Sequence, residues 1–175
     1  MKFKVKYLKY IIKPVEIINI IFERNYGVRL KIFLINALFQ RIFRINSEAK
    51  FQVNYTSTIV NATEIYIGKN VCRSFALSGG CYIQAGNGIY INDDTIFAPG
   101  VKIISANHNP KEKMCWMNAP PIRIGKRCWI GTNAVILPGV VIGDDCVIGA
   151  GTIVTSSFPS RSVIVGNPGK KIKSL

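Results

Sequence analysis

The chain is poor in two of the residue types that most often do chemistry. It has one histidine, His108, and nine acidic residues against 23 lysines and arginines in 175 positions. A single imidazole excludes a metal centre that draws several histidines from one chain. The shortage of acid leaves a net charge of +14, which favours anionic partners: phosphates, acidic glycans, anionic lipid or nucleic acid. The basic residues are split, with eleven in residues 1–50 and ten in 101–175. No nucleic-acid motif is present, and the aromatics do not interleave with the cations as a stacking platform would, so no nucleic-acid partner is expected. Five cysteines (Cys72, Cys81, Cys115, Cys128, Cys146) form no CxxC and no Cys/His pairing, which argues against a zinc site or a disulfide framework. Long uncharged apolar runs are also missing. None approaches the roughly 18 residues of a membrane span, and the lysines at Lys2, Lys4, Lys6, Lys9 and Lys13 lead to Pro14 without a small-residue cleavage site. That is not a signal peptide. The protein is expected in the cytoplasm, where Cys128 and Cys146 serve as small buried residues.

What the chain does have is a six-residue period. Aliphatic residues recur at Ile124, Ile130, Ile136, Ile142, Ile148 and Val154, most followed by glycine. Three positions after each come Arg127, Asn133, Gly139, Asp145, Gly151 and Ser157. Most of these are Asn, Gly or Asp, which tolerate left-handed backbone and can turn a corner. Neither a helical nor a two-residue strand period gives six such units in a row. One short strand and one corner per hexad does. Three hexads then close a triangular coil, so that Ile124 stacks on Ile142, Ile130 on Ile148 and Ile136 on Val154, in a parallel β-helix with one continuous core.

Upstream the pattern is less regular. Good hexads begin at Ile91, Phe97 and Ile103, while Arg73–Gly80 interrupts the series and leaves the register before Ile91 open. From Ile103 to Ile124 is 21 positions, three more than one coil. The polar, proline-bounded stretch at about 109–121 reads as a loop pushed out from a corner, where function concentrates on a rigid scaffold. Residues 1–50 form a separate helical segment before the β-helix of 51–175. Pro14 suits the first turn of a helix through Ile17, Ile18, Ile21 and Phe22, and Gly27 breaks it. From Val28 to about Arg44 the polar Arg29, Asn36, Gln40 and Arg44 fall on one narrow stripe of an otherwise apolar helix. Two roles fit this segment: a cap over the open end of the β-helix, or a segment docked on an anionic membrane surface.

His108 ends the last hexad before the loop, in Ser105-Ala106-Asn107-His108-Asn109-Pro110. It is either a loop histidine without a role or a proton acceptor, since histidine titrates near neutral pH. The hexads from Ile124 to Pro159, followed by VGNPGK at 165–170, decide between these by resemblance. The chain from about Tyr82 onwards resembles the hexapeptide-repeat acyltransferases, in particular their galactoside, maltose and surface-polysaccharide O-acetyltransferase branch. The resemblance implies a left-handed β-helix and a homotrimer with sites between subunits. It also implies direct acetyl transfer from acetyl-CoA to a carbohydrate hydroxyl, with His108 as general base. In its cofactor positions stand Gly131, Thr132, Ala150, Thr155, Lys170 and Lys173, the last two being lysines where the family more often has arginine. Gln84, Asn107 and Trp129 are the acceptor-side candidates. No metal is expected, because the carbonic anhydrases of this fold need three histidines. An amino sugar, serine or antibiotic is an alternative acceptor, and a scaffold or lipid-binding module is the non-enzymatic alternative.

Overall fold

A computed structural model describes residues 14–175. The part of the expected helical segment 1–50 that precedes Pro14 lies outside the described residues. Among the described residues, fourteen short strands form three sheets, the faces of a triangular prism. The first face holds β1 (Thr58–Val60), β3 (Tyr82–Gln84), β6 (Lys102–Ile104), β9 (Val135–Ile136) and β12 (Ile153–Val154). The second holds β2 (Ile65–Ile67), β4 (Ile89–Ile91), β7 (Ile122–Ile124) and β10 (Val141–Ile142). The third holds β5 (Ile96–Phe97), β8 (Trp129–Ile130), β11 (Val147–Ile148), β13 (Ser162–Val165) and β14 (Lys170–Ser174). All pairings are parallel except that of β13 with β14. Together with the hexads, these parallel faces fit a left-handed β-helix.

The expected stacking is present. Ile124 pairs with Ile142, Ile130 with Ile148 and Ile136 with Val154, and every one of these side chains is buried. They belong to a single core that runs from Ile65 to Ile164, each fully buried aliphatic contributing about 1.5–3 kcal/mol relative to exposure. Cys128 and Cys146 lie in the same core, and burial pushes the Cys128 thiol up to about 11, so Cys128 is not a free nucleophile. The corners also follow the hexads, with positive φ at Arg127, Asn133, Gly139, Asp145 and Gly151. Ser157 does not share it, because the repeat ends there.

The left-handed strain at Arg127 (φ 54°) is carried in a corner ladder. Arg127 donates from Nε and Nη2 to the two carboxylate oxygens of Asp145 at 2.7 and 2.8 Å, one coil further on, and Asn70 donates to Asp94 in the earlier coils. The hydrogen bond and charge of Arg127 hold the Asp145 carboxyl below its ordinary value. A carboxyl lowered on folding adds stability above its unfolded pKa, and that stability is lost as pH falls through the folded one. Asp145→Asn keeps a residue that accepts this corner, so it should lower the melting temperature at neutral pH. The difference from wild type should fade below about pH 4, as thermal melts across pH would show.

Two irregularities set the shape around the repeat. The third face of the first coil is not a strand but α3 (Cys72–Leu77), whose Phe75 packs edge-on against Phe97. This is why Arg73–Gly80 interrupts the hexads. The second irregularity corrects the spacing count. Ile91 pairs with Ile124 and Ile103 with Ile136, each thirty-three positions apart instead of eighteen. Ile103 and Ile124 are thus neighbours on adjacent faces of one coil, and fifteen residues are inserted at a single corner.

At the other end, helix α1 (Pro14–Tyr26) begins at Pro14 and stops before Gly27, which has φ 73°. The continuous helix expected from Val28 to Arg44 is instead α2 (Leu30–Ala37) followed by a π-turn over Leu38–Ile42. The two central residues of the polar stripe face inwards, while Arg29 and Arg44 at its ends are exposed. Asn36 donates to the Ala76 carbonyl at 3.0 Å and accepts from the Tyr55 amide. Gln40 donates to the Ala49 and Phe51 carbonyls at 3.0 and 2.9 Å. Closure of the core is made by the segment behind these helices. Phe51 packs on Phe75 with the two rings tilted, and the Asn46 carboxamide bonds the Ile59 amide and the Ser57 carbonyl along the outer edge of β1.

Candidate active site

The inserted loop leaves the corner between the first and second faces. Its base is a short antiparallel ribbon. His108 bridges to Trp116, the Asn109 amide donates to the Cys115 carbonyl, and the Met117 amide donates to the Asn107 carbonyl. The ribbon is fastened to the preceding coil in two ways. Asn87 donates through Nδ2 to the carbonyls of Ser105 and Met117, both at 2.9 Å, and its amide donates to the Ser105 hydroxyl. Trp116 lies in a notch over Gly86, where an added Cβ would come within 2.5 Å of the indole ring. Only glycine admits the ring there.

His108 stands at the exposed base of this loop, with Nδ1 2.6 Å from the Lys113 carbonyl. A carbonyl can only accept, so Nδ1 carries the proton. The lone pair of the neutral ring is then on Nε2, the form that can take a proton from an acceptor. The ring is therefore oriented by its own loop. Asn107 is beside it. Gln84 is buried at the same corner, and its Oε1 accepts the Ala106 amide at 3.0 Å, which steadies the strand that presents His108. Thr155 is exposed at this corner two coils further on.

The other residues gather elsewhere. Gly131, Thr132 and Ala150 lie in successive coils at the corner between the third and first faces, and Trp129 projects from the third face just before it, 54% exposed. The Thr132 hydroxyl donates to the Pro99 carbonyl at 2.7 Å, in the coil below. Gly131 packs so closely on the next coil that a Cβ would sit 2.6 Å from the Ala150 amide, whereas a Cβ at Gly151 would meet nothing within 4 Å. This corner is thus a column of small residues with open space outside it. It fits a slender ligand that lies along backbone. Lys170 and Lys173 are exposed on β14, at the edge of the third face, where they could meet phosphate. Within one chain the His108 corner and the Thr132–Ala150 corner flank opposite edges of the first face. Among the described residues no group of three metal-ligating side chains converges.

Sequence reasoning missed the supports of His108: Gly86, Asn87, the Lys113 carbonyl and the seat of Trp116. A glycine and an asparagine beside a strand end, in Ala85-Gly86-Asn87-Gly88, were the available signal, and they read equally well as an ordinary turn.

Comparison with known proteins bears on this arrangement. Residues 121–156 match the family model for the hexapeptide repeat of succinyl-transferase. The galactoside O-acetyltransferase of Escherichia coli (strain K12) is 37% identical over 116 residues, covering 65% of this chain and 55% of that protein. The chain thus spans about half the length of that relative. A putative acetyltransferase of Staphylococcus aureus (strain Mu50) is 31% identical over 146 residues, 81% of this chain and 68% of the relative. Among solved structures, a galactoside acetyltransferase in complex with coenzyme A superposes with a TM-score of 0.62 at 27% identity, covering 83% of this chain and 79% of the other.

Proposed function

The chain belongs to the hexapeptide-repeat acetyltransferase family, and on that premise we propose that it transfers an acetyl group from acetyl-CoA to a hydroxyl of a carbohydrate: a surface polysaccharide, its precursor or a small sugar. The observation that carries this reading is the His108 ring, with Nδ1 bound to the Lys113 carbonyl, which leaves Nε2 as the proton-accepting atom of the neutral ring. Acetyl-CoA supplies an activated thioester. His108 takes the proton of the acceptor hydroxyl as that oxygen attacks, then holds it for return to the leaving group. The Gly131–Thr132 backbone at its tight corner provides amides for the developing negative charge. Thr132, Ala150 and Thr155 line the path of the donor, and Lys170 and Lys173 bind its phosphates. Asn107 and Trp129 contact the acceptor, with Gln84 holding the strand beneath them.

Because the two halves of this machinery flank opposite edges of the first face, the reading includes a homotrimer in which one copy's His108 meets the small-residue corner of the next. It also includes a division at about residue 50, with residues 1–50 in peripheral contact with the inner face of the cell membrane in the cytoplasm. No helix among the described residues is long and apolar enough to cross a membrane. The test is free-thiol release from acetyl-CoA over a panel of glycans, amino sugars, serine and antibiotics. Turnover with a sugar class supports the proposal. Turnover only with serine or an antibiotic overturns its acceptor.

A further inference from the structure

The N-terminal helices are turned inside out for a protein surrounded by water. Asn36 and Gln40 are 1% and 4% exposed and bonded to backbone, at Ala76 of the first coil and at Ala49 and Phe51 just ahead of it, while Leu34, Leu38, Ile42, Phe43 and Ile45 are 41–69% exposed. Ile17, Ile18, Ile20 and Ile21 of α1 are exposed as well. An ordinary amphipathic helix buries its apolar stripe. Here the attachment is made on the inward side, by Asn36, Gln40, the Phe33 carbonyl bonded by Gln52 and Phe39 stacked on Tyr55, so the exposed stripe is not the side that holds the helix on. Contiguous exposed apolar surface of this kind marks an interaction site.

The charge around it selects the partner. Lys31, Leu34, Leu38, Arg41 and Ile42 follow one another at helical spacing along the exposed side, and Arg44 and Lys50 are exposed nearby. Residues 1–50 carry eleven lysines and arginines against three glutamates, Glu16, Glu23 and Glu48. A second copy laid on this face would set two such basic surfaces against each other. An anionic surface with an apolar interior matches both features, because cations reach headgroups while aliphatic side chains enter the acyl boundary.

We propose that the outward stripe of α2 and the π-turn is the docking surface for a bilayer rich in anionic phospholipid, with Leu34, Leu38, Ile42 and Phe43 inserted and Lys31 and Arg41 at the headgroups. This deepens the membrane contact of the reading above and assigns it to one face. It stands or falls independently of the chemistry, because its test does not involve turnover.

The full chain is sedimented with vesicles of phosphatidylcholine alone and with vesicles that also contain phosphatidylglycerol. Binding to the anionic vesicles only, weakened by added salt, is expected. Leu38→Glu/Ile42→Glu and Lys31→Glu/Arg41→Glu should each reduce partitioning by at least ~10-fold. Both pairs are exposed, so circular dichroism should stay that of wild type. Failure to bind anionic vesicles, or binding unchanged by both variants, overturns the proposal. So does a larger assembly, seen by light scattering, that Leu38→Glu/Ile42→Glu dissolves, since the stripe would then be covered by a second copy.

Discussion

His108→Ala should lower kcat by ~100- to 10,000-fold, the range expected when a positioned general base is removed, and leave the unfolding transition where it is. The side chain is exposed at the base of the loop, so its loss opens no cavity. The hydrogen bond from Nδ1 to the Lys113 carbonyl orients the ring but does not hold the coil together, since Asn87 and Trp116 fasten the loop independently. His108→Asn separates the two roles, because its amide can still donate to Lys113 but offers no base. Both variants should lose kcat to a similar extent while the KM for acetyl-CoA changes little. Steady-state kinetics that show the loss in KM alone would make His108 a binding residue.

Ile130→Ala should cost ~2–5 kcal/mol of folding stability. Ile130 is fully buried, stacked between Phe97 below and Ile148 above. Each coil of a solenoid is stabilised by its neighbours, so a cavity in a middle coil weakens both interfaces. Val141 is the control. It lies on the outer side of β10, 44% exposed, and Val141→Ala should change stability by no more than ~0.5 kcal/mol. Urea denaturation of the three proteins compares them directly.

The repeat was legible in the sequence because each of its constraints acts on a residue type. The inward positions need an aliphatic side chain and the corners need left-handed backbone, so Ile124 to Val154 and their corners could be read off directly. Arg127 departs from the corner rule, and it is held there by Asp145 eighteen positions on, a partner that only the coil geometry brings near. The inserted loop was legible as a loop but its depth was not. The hexad count cannot tell a lengthened coil from fifteen residues put in at one corner, which strand register decides. The helices were harder still. The stripe of Arg29, Asn36, Gln40 and Arg44 was visible, but pattern alone takes the polar side of a helix as the solvent side. Asn36 and Gln40 reverse this because the backbone they satisfy, at Ala76, Ala49 and Phe51, lies outside the strands. In the same way His108 was legible as the sole imidazole beside the loop, whereas its supports at Gly86 and Asn87 depend on which residues the insertion folds back upon.

The central claim is that the small-residue corner and the lysines of β14 bind the donor. Titration calorimetry of acetyl-CoA into the chain of residues 1–175 tests it without knowledge of the acceptor. The account predicts saturable binding that survives His108→Ala and weakens with Lys170→Gln/Lys173→Gln. Absence of binding to the wild-type protein would contradict it and leave a β-helical scaffold.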